Sequence, residues 1–235
     1  MKHFKLRTDL KKELFEVTLF QIEATIEGKW GPKGTLGGFI EKESNLNDNA
    51  WVSGNAQVSG EAQVSGNALV YGQAQVFGDA LVYGQALVYG EAQVFGEAQV
   101  CGQTLVCGQA LVSGEAQVYG QAQVSGEAQV SGNAQVSGEA QVSGNALVSG
   151  QARVEKYGQC IVINNLKNII TCMPNRIQIG CKDFPTLDKF EETYKQIAKE
   201  NNYTAEEAEQ TANFVRIAMK NMIPIQKSVK VSYNG

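Results

Sequence analysis

Residues 52–69 read VSGNAQVSGEAQVSGNAL, three copies of one six-residue phrase, Val-x-Gly-x-Ala-x. The phrase runs far beyond them. Valine recurs every six residues from Val52 to Val154, 18 times without a break. Glycine follows two positions later from Gly54 to Gly150, and the small position, Ala56 to Ala152, is broken only by Thr104. Self-similarity at a short fixed period marks a solenoid. Six residues make one short strand and one tight corner. The β-branched Val points inward, with one outward side chain on either side. Gly supplies a corner conformation closed to residues with a Cβ, and Ala sits where only a small side chain clears the next corner. Three hexads close a triangular coil of 18 residues, so 18 hexads stack as six coils. At about 4.8 Å per coil the shaft is on the order of 29 Å long. The expected fold is mainly β: a parallel β-helix with an N-terminal β cap and a C-terminal module containing a helical hairpin.

The boundaries follow from the repeat. Residues 1–51 are mixed and charged, residues 52–154 are the shaft, and residues 155–235 are mixed again. Ile40 with Ser44, and Leu46 with Ala50, are weaker hexads in the same phase, which would start the shaft near residue 40. A solenoid exposes a bare strand edge at each end and needs caps. Leu14 to Ile26 is rich in β-branched and aromatic residues and reads as one or two strands, followed by a turn at Gly31-Pro32-Lys33-Gly34. Beyond the shaft, Ile161-Val162-Ile163 and Arg176 to Gly180 read as strands. Thr186 is an N-cap for a helix with Leu187, Phe190, Tyr194 and Ile197 on one face. Asn201-Asn202 breaks it. Thr204 and Glu207 form a capping-box pattern opening a second helix, whose apolar Ala208, Ala212, Val215, Met219 and Met222 continue to Pro224. The apolar stripes read as cap packing, with docking of a partner as the alternative.

The hexad resembles the repeat of left-handed parallel β-helices over about half of the chain. Such coils violate the usual right-handed crossover, and the repeat alone leaves a right-handed coil open. The segment Thr35-Leu36-Gly37-Gly38-Phe39-Ile40-Glu41, with Asn45-Leu46 and Ala50-Trp51-Val52, is similar to the N-terminal module of a family of hexapeptide-repeat proteins common in phages and prophages. The resemblance spans roughly residues 19–154, with an echo at Ile177-Gln178-Ile179-Gly180-Cys181. It implies the fold and a phage or bacterial origin, and no reaction. The best-known enzymes on this fold, acyltransferases and related transferases, resemble the chain in the hexad only. They use a histidine base near a coil edge, often with a loop interrupting the hexads.

The chemistry of the chain is mostly absences. The one histidine, His3, lies in a terminus that reads as flexible. The repeat holds no His, no Lys, no Arg before Arg153 and no inserted loop, so general base catalysis would need another group. No enzymatic activity and no cofactor are expected. The five cysteines include no Cys-x-x-Cys pair and have no histidine to complete a zinc site. Cys101 and Cys107, one hexad apart, fall on neighbouring faces and should not meet. Cys160, Cys172 and Cys181 belong to the C-terminal module. No apolar run approaches the ~20 residues that span a bilayer, and the N-terminus lacks an apolar signal region. A soluble, cytoplasmic protein is expected. Residues 52–152 carry seven acidic residues and no basic one. With −4 overall, the remainder carries −4 minus −7, or +3. Such a shaft repels nucleic acid, yet is too weakly charged to imitate DNA, which would place roughly 17 charges along ~29 Å.

Grouping outward residues by 18-residue coil gives the candidate sites. On the face of Val52, Val70, Val88 and Val106 stand Trp51, Leu69, Leu87 and Leu105, beside Tyr71, Tyr89 and Cys107. A flat apolar patch of this kind marks an interface: Trp51, Leu69, Tyr71, Leu87, Tyr89 and Leu105 are expected to build a homo-oligomer. Cover by residues 1–13 or 225–235 is the competing reading. On the other faces Phe77, Phe95, Tyr83 and Tyr119, among Gln residues, could contact a ligand or partner. Glu61, Asp79, Glu97 and Glu115 align at one corner, either as a solvated ladder or as a site for a cation or a basic partner. Three function classes result: an assembly scaffold, a binding protein that captures a host factor or a small nucleotide as phage counter-defence proteins do, and, disfavoured by the missing histidine, a transferase.

Overall fold

The computed structural model describes residues 2–14, 16–156, 158–164, 169–174, 176–179 and 182–222. An antiparallel hairpin, β1 (Phe4–Leu14) and β2 (Val17–Ala24), is followed by β3 (Leu36–Ile40). Two-residue strands β4–β21 then recur every six residues, from Trp51–Val52 to Arg153–Val154. Every third strand joins the same parallel sheet. The first face is β4-β7-β10-β13-β16-β19, the third is β6-β9-β12-β15-β18-β21, and the second runs from β3 through β5 to β20 and carries the hairpin at its end. Partners are 18 residues apart, as in Leu87 with Leu105 and Val88 with Val106. Every valine of the repeat is fully buried, and so are the alanines. Outward residues donate their N–H to the next coil, for instance Leu87 to Thr104 and Tyr89 to Val106 at 2.9 and 3.0 Å.

The glycine at each corner is a steric requirement. Gly108 has φ +73, and a Cβ there would lie 2.9 Å from the backbone N and O of Gly126 in the next coil. The left-handed conformation and the close approach both exclude a side chain. One residue stands in for this glycine. In the first coil Ile40 pairs with Val58 and Leu46 with Val64, and at the corner between Leu46 and Val52 sits Asp48, with φ +53. Its carboxylate accepts the Gly66 N–H at 2.9 Å. Glu41 likewise accepts the Gly60 N–H at 2.6 Å, and buried Asn45 donates to the carbonyls of Gly60 and Ala62 at 3.0 and 2.8 Å. Gly37 and Gly38 let β3 lie against this coil: a Cβ on them would come within 2.5 Å of the Val52 carbonyl and 2.7 Å of the Ala56 carbonyl.

The first residues are not the flexible terminus that composition suggests. They form β1, so the N-terminal strands begin at Phe4 rather than Leu14. This strand is the outer edge of the second sheet. Its pairing jumps between Arg7 and Lys11, leaving Thr8, Asp9 and Leu10 without partners on β2. Arg7 bonds Asp9 and Glu23 at 2.5 and 2.6 Å. A bulge and a row of charges protect an edge against adventitious pairing.

The C-terminal module is an antiparallel sheet, β22 (Ile161–Asn164), β23 (Ile169–Met173), β24 (Arg176–Ile179) and β25 (Lys182–Phe184), covered by α1 (Leu187–Glu200) and α2 (Ala205–Asn221). Strands β23 and β25 are additional to those expected. Thr186 caps α1 by accepting the Lys189 N–H at 3.2 Å, and Thr204 with Glu207 forms the capping box of α2. Phe190, Tyr194, Ala212 and Val215 pack with Ile170, Cys172 and Ile177 of the sheet, so the helical stripes are internal packing. The module also closes the shaft. Thr171 Oγ1 accepts the Leu147 N–H of the last coil at 2.9 Å, Gln178 bonds Ser149, and Gln159 Oε1 accepts the N–H groups of Glu155 and Lys156 at 2.7 and 3.0 Å. Gly180, Cys181, Pro224 and residues 225–235 lie outside the described residues.

Candidate functional site

The 18-residue coil brings the first-face residues together. Leu69, Leu87 and Leu105 pair in one ladder. Beside them Tyr71 stacks on Tyr89, ring centroids 4.8 Å apart and 4° from parallel. Tyr89 meets the Cys107 thiol of the next coil; that hydrogen bond raises its pKa, with burial adding. All six of these side chains are half-buried: each rests on its ladder neighbours and keeps an outer side at the surface.

Trp51 pairs with Leu69 in the same ladder but is not exposed with them, which corrects its assignment to the exposed patch. It is 3% exposed, because Trp30 stacks on it at 5.0 Å and His3 packs at 6.1 Å. His3 is itself buried and donates from Nε2 to the Ala50 carbonyl at 2.9 Å. Burial lowers its pKa most; the Ala50 bond opposes, Lys29 lowers it further and Asp48 raises it. Among the described residues, self-cover by the N-terminal segment holds at the first coil.

On the second face Phe77 stacks on Phe95 at 4.8 Å and 2°. On the third, Tyr83 is 38% exposed and bonds Cys101, which raises its pKa. Tyr119 stands one coil beyond Cys101, half-buried. Concavities along the shaft are shallow and amide-lined, such as that of Gln73, Gln75, Glu91, Gln93 and Gln109.

The acidic ladder does not converge. Among the described residues no three Asp, Glu, Cys or His side chains are grouped to hold a metal ion. Glu61 pairs with Lys42 at 2.6 Å, and Glu115 accepts from Asn133 at 2.7 Å. The cation expectation for Glu61, Asp79, Glu97 and Glu115 thus lacks its geometry. The corner after the first face differs: there carboxylates alternate with amides, and Gln109 donates to Glu91, Asn145 to Glu127.

Cys101 and Cys107 lie on different sheets and are free thiols. Desolvation pushes the Cys160 and Cys172 thiols up to about 12, which keeps them protonated and unreactive. Among the described residues no helix is long and apolar enough to cross a membrane. The end-sealing residues His3, Trp30, Glu41, Asn45 and Asp48 are absent from the sequence-derived sites. Only Asp48 carried a local signal, an acidic residue where the hexad phase demands glycine.

Segments of the shaft are similar to a known repeat family. Residues 62–73, 74–90 and 140–155 match a family described as the YdcK beta solenoid repeat. The match covers shaft segments and ends at residue 155, the first residue beyond the shaft. No curated protein matches the chain.

Proposed function

We propose that this protein is a non-catalytic β-solenoid scaffold that self-associates through its first face. One observation carries the reading. Residues 2–14, one of the two segments that could fold back over Leu69, Leu87, Leu105, Tyr71 and Tyr89, are committed to β1 at the end of the second sheet instead; the other, residues 225–235, lies outside the described residues. Among the described residues no segment closes over the apolar ladders, which stay half-buried at the surface. Each Leu fully buried between shafts contributes about 1.5–3 kcal/mol before the costs of association, and flat faces suit a closed symmetric assembly. The absence of catalysis is supported by His3, the one imidazole, being occupied with the Ala50 carbonyl.

Capture of a nucleotide or host factor, as in phage counter-defence, has less behind it. The Phe77–Phe95 and Tyr71–Tyr89 rings already stack on each other, so no slot for a base opens between them.

Leu87→Glu tests the reading. A carboxylate in a dry contact should dissociate the oligomer while the Val core, followed by circular dichroism, stays intact. Gln129→Glu, on the second face, should change nothing. A monomeric wild type in light scattering, or an oligomer indifferent to Leu87→Glu, removes the first-face interface.

A further inference from the structure

The sheet of the C-terminal module is covered unevenly. Helix α1 packs on β24 and β25, and α2 packs on β23. Strand β22 stands at the end of the strand order, beyond β23, and among the described residues its outer edge has no strand partner. An open edge presents a row of unpaired N–H and C=O groups, which proteins normally pair, cover or guard with charge. The sequence of β22, Ile161-Val162-Ile163-Asn164, carries no charge. The helix beside this edge has an apolar overhang. Glu209 and Arg216 of α2 bond Tyr194 and Glu191 of α1, which fixes the side of α2 that faces α1. At 3.6 residues per turn, Phe214 stands roughly 140–160° round the helix from both. It therefore lies on the β22 side of α2, and it is 48% exposed.

Met222, just past the end of α2, is buried in the core between the helices and this sheet. From there residues 223–235 continue as IPIQKSVKVSYNG. Pro224 bars a continued helix. Ile223, Ile225, Val229, Val231 and Tyr233 fall on alternate positions, a series broken only by Lys227, with polar residues or proline between them. That is the period of a strand with one apolar face. We infer that residues 227–233 add a strand along the outer edge of β22, with Val229, Val231 and Tyr233 beneath Phe214. Main-chain bonds to the edge supply affinity, and the alternate side chains supply specificity. Position and length favour this segment as the occupant. It starts from the end of the helix nearest β22. Residues 223–226, extended, span about 13 Å, and the added strand needs to lie only about 4.8 Å to the side of β22. The tether gives it an effective concentration in the millimolar range, which a second copy does not match in dilute solution. So placed, the segment is withheld from Leu69, Leu87 and Leu105. Docking does not depend on self-association: the first is read from amide exchange, the second from mass.

The test is hydrogen exchange, followed by mass spectrometry, on the full chain at two protein concentrations. Residues 227–233 and β22 should both be protected, equally at the two concentrations. Two variants remove the added strand: a chain ending at Met222, and the full-length Val229→Asp/Val231→Asp. Each should quicken exchange in β22 about tenfold or more and leave the peptides of Leu69, Leu87 and Leu105 unchanged. Circular dichroism melts verify that each variant is folded. Exchange of residues 227–233 at the free-peptide rate in the wild type overturns the inference, whether or not the variants fold. So does exchange in β22 that the folded variants leave unchanged. Protection that grows with concentration assigns the edge to the strand of a second copy. Faster exchange around Leu87 in place of β22 assigns the segment to the first face. Either result overturns the inference.

Discussion

The shaft and the two structures that close it are stabilised in opposite ways. In the shaft each coil repeats its neighbour: a valine on a valine, a glycine corner on a glycine corner, an N–H on the carbonyl of the next coil. No single position is special, and the ladder satisfies its own backbone. At the ends the ladder has no next coil, and particular side chains must supply what it lacks: Asp48, Glu41 and Asn45 at one end, Thr171, Gln178 and Gln159 at the other. Repetition yields a core from few residue types. Termination requires individual polar groups, because an unpaired buried backbone group costs as much as a lost hydrogen bond.

This contrast is most easily broken inside the shaft. Val100→Asp places a carboxylate in a core one residue wide with no partner, at several kcal/mol, and should lower the melting temperature more than any other change considered. Ser131→Asp, outward on the second face, should leave it nearly unchanged. Equal effects would mean that the inward phase is wrong.

At the C-terminal end, Thr171→Val preserves shape and removes the acceptor for the Leu147 N–H. The orphaned donor should cost about 1–3 kcal/mol. Hydrogen exchange should quicken at Leu147 and stay slow at mid-shaft amides; uniform exchange along the shaft would deny the end its separate role.

The N-terminal end should respond to pH. Burial holds the folded His3 pKa below its ordinary value, so the unfolded chain binds the proton more readily. Stability from the cap is therefore present above the unfolded pKa of about 6.5 and declines as pH falls through 6.5 toward the folded value. Trp30 and Trp51, the two tryptophans of the chain, stack beside His3 and report this region alone. Their fluorescence should change in that window, and His3→Gln should flatten the profile.

Thr104 sharpens the comparison from within the repeat. It stands in the alanine ladder, 1% exposed, with its hydroxyl unpaired. Thr104→Ala removes that penalty of about 1–3 kcal/mol and loses one methyl, about 0.8 kcal/mol. A small rise in melting temperature is expected; a fall would show the hydroxyl to be satisfied. The smallest effect belongs to Glu97→Gln. Like charges ~5 Å apart in water repel by about 0.8 kcal/mol per pair, and an amide there reproduces the alternation of Gln109 with Glu91. The melting temperature should rise by a degree or two at low salt, and less at high salt.

The coil was legible because its signal is local and repeated. Val88 and Gly90 mean the same thing in every hexad, so the 18-residue register, the three faces and the stacked positions of Leu87 with Leu105 follow from counting. The helix caps at Thr186 and Thr204 were legible for a related reason: a capping residue and its partner lie three positions apart. Asp48 could be read as a departure from the phase but not as an acceptor for Gly66, since that bond depends on where the next coil lies.

Sequence alone determined that this chain is a solenoid, how many residues close a coil and which side chains face outward, because period and side-chain alternation are properties of the chain itself. Tertiary structure decided which outward residues remain at the surface. Trp51 occupies the same ladder position as Leu69 and is nonetheless buried, because His3 and Trp30, 48 and 21 residues earlier, close over it. Cover depends on where distant segments come to rest, and no periodicity records that.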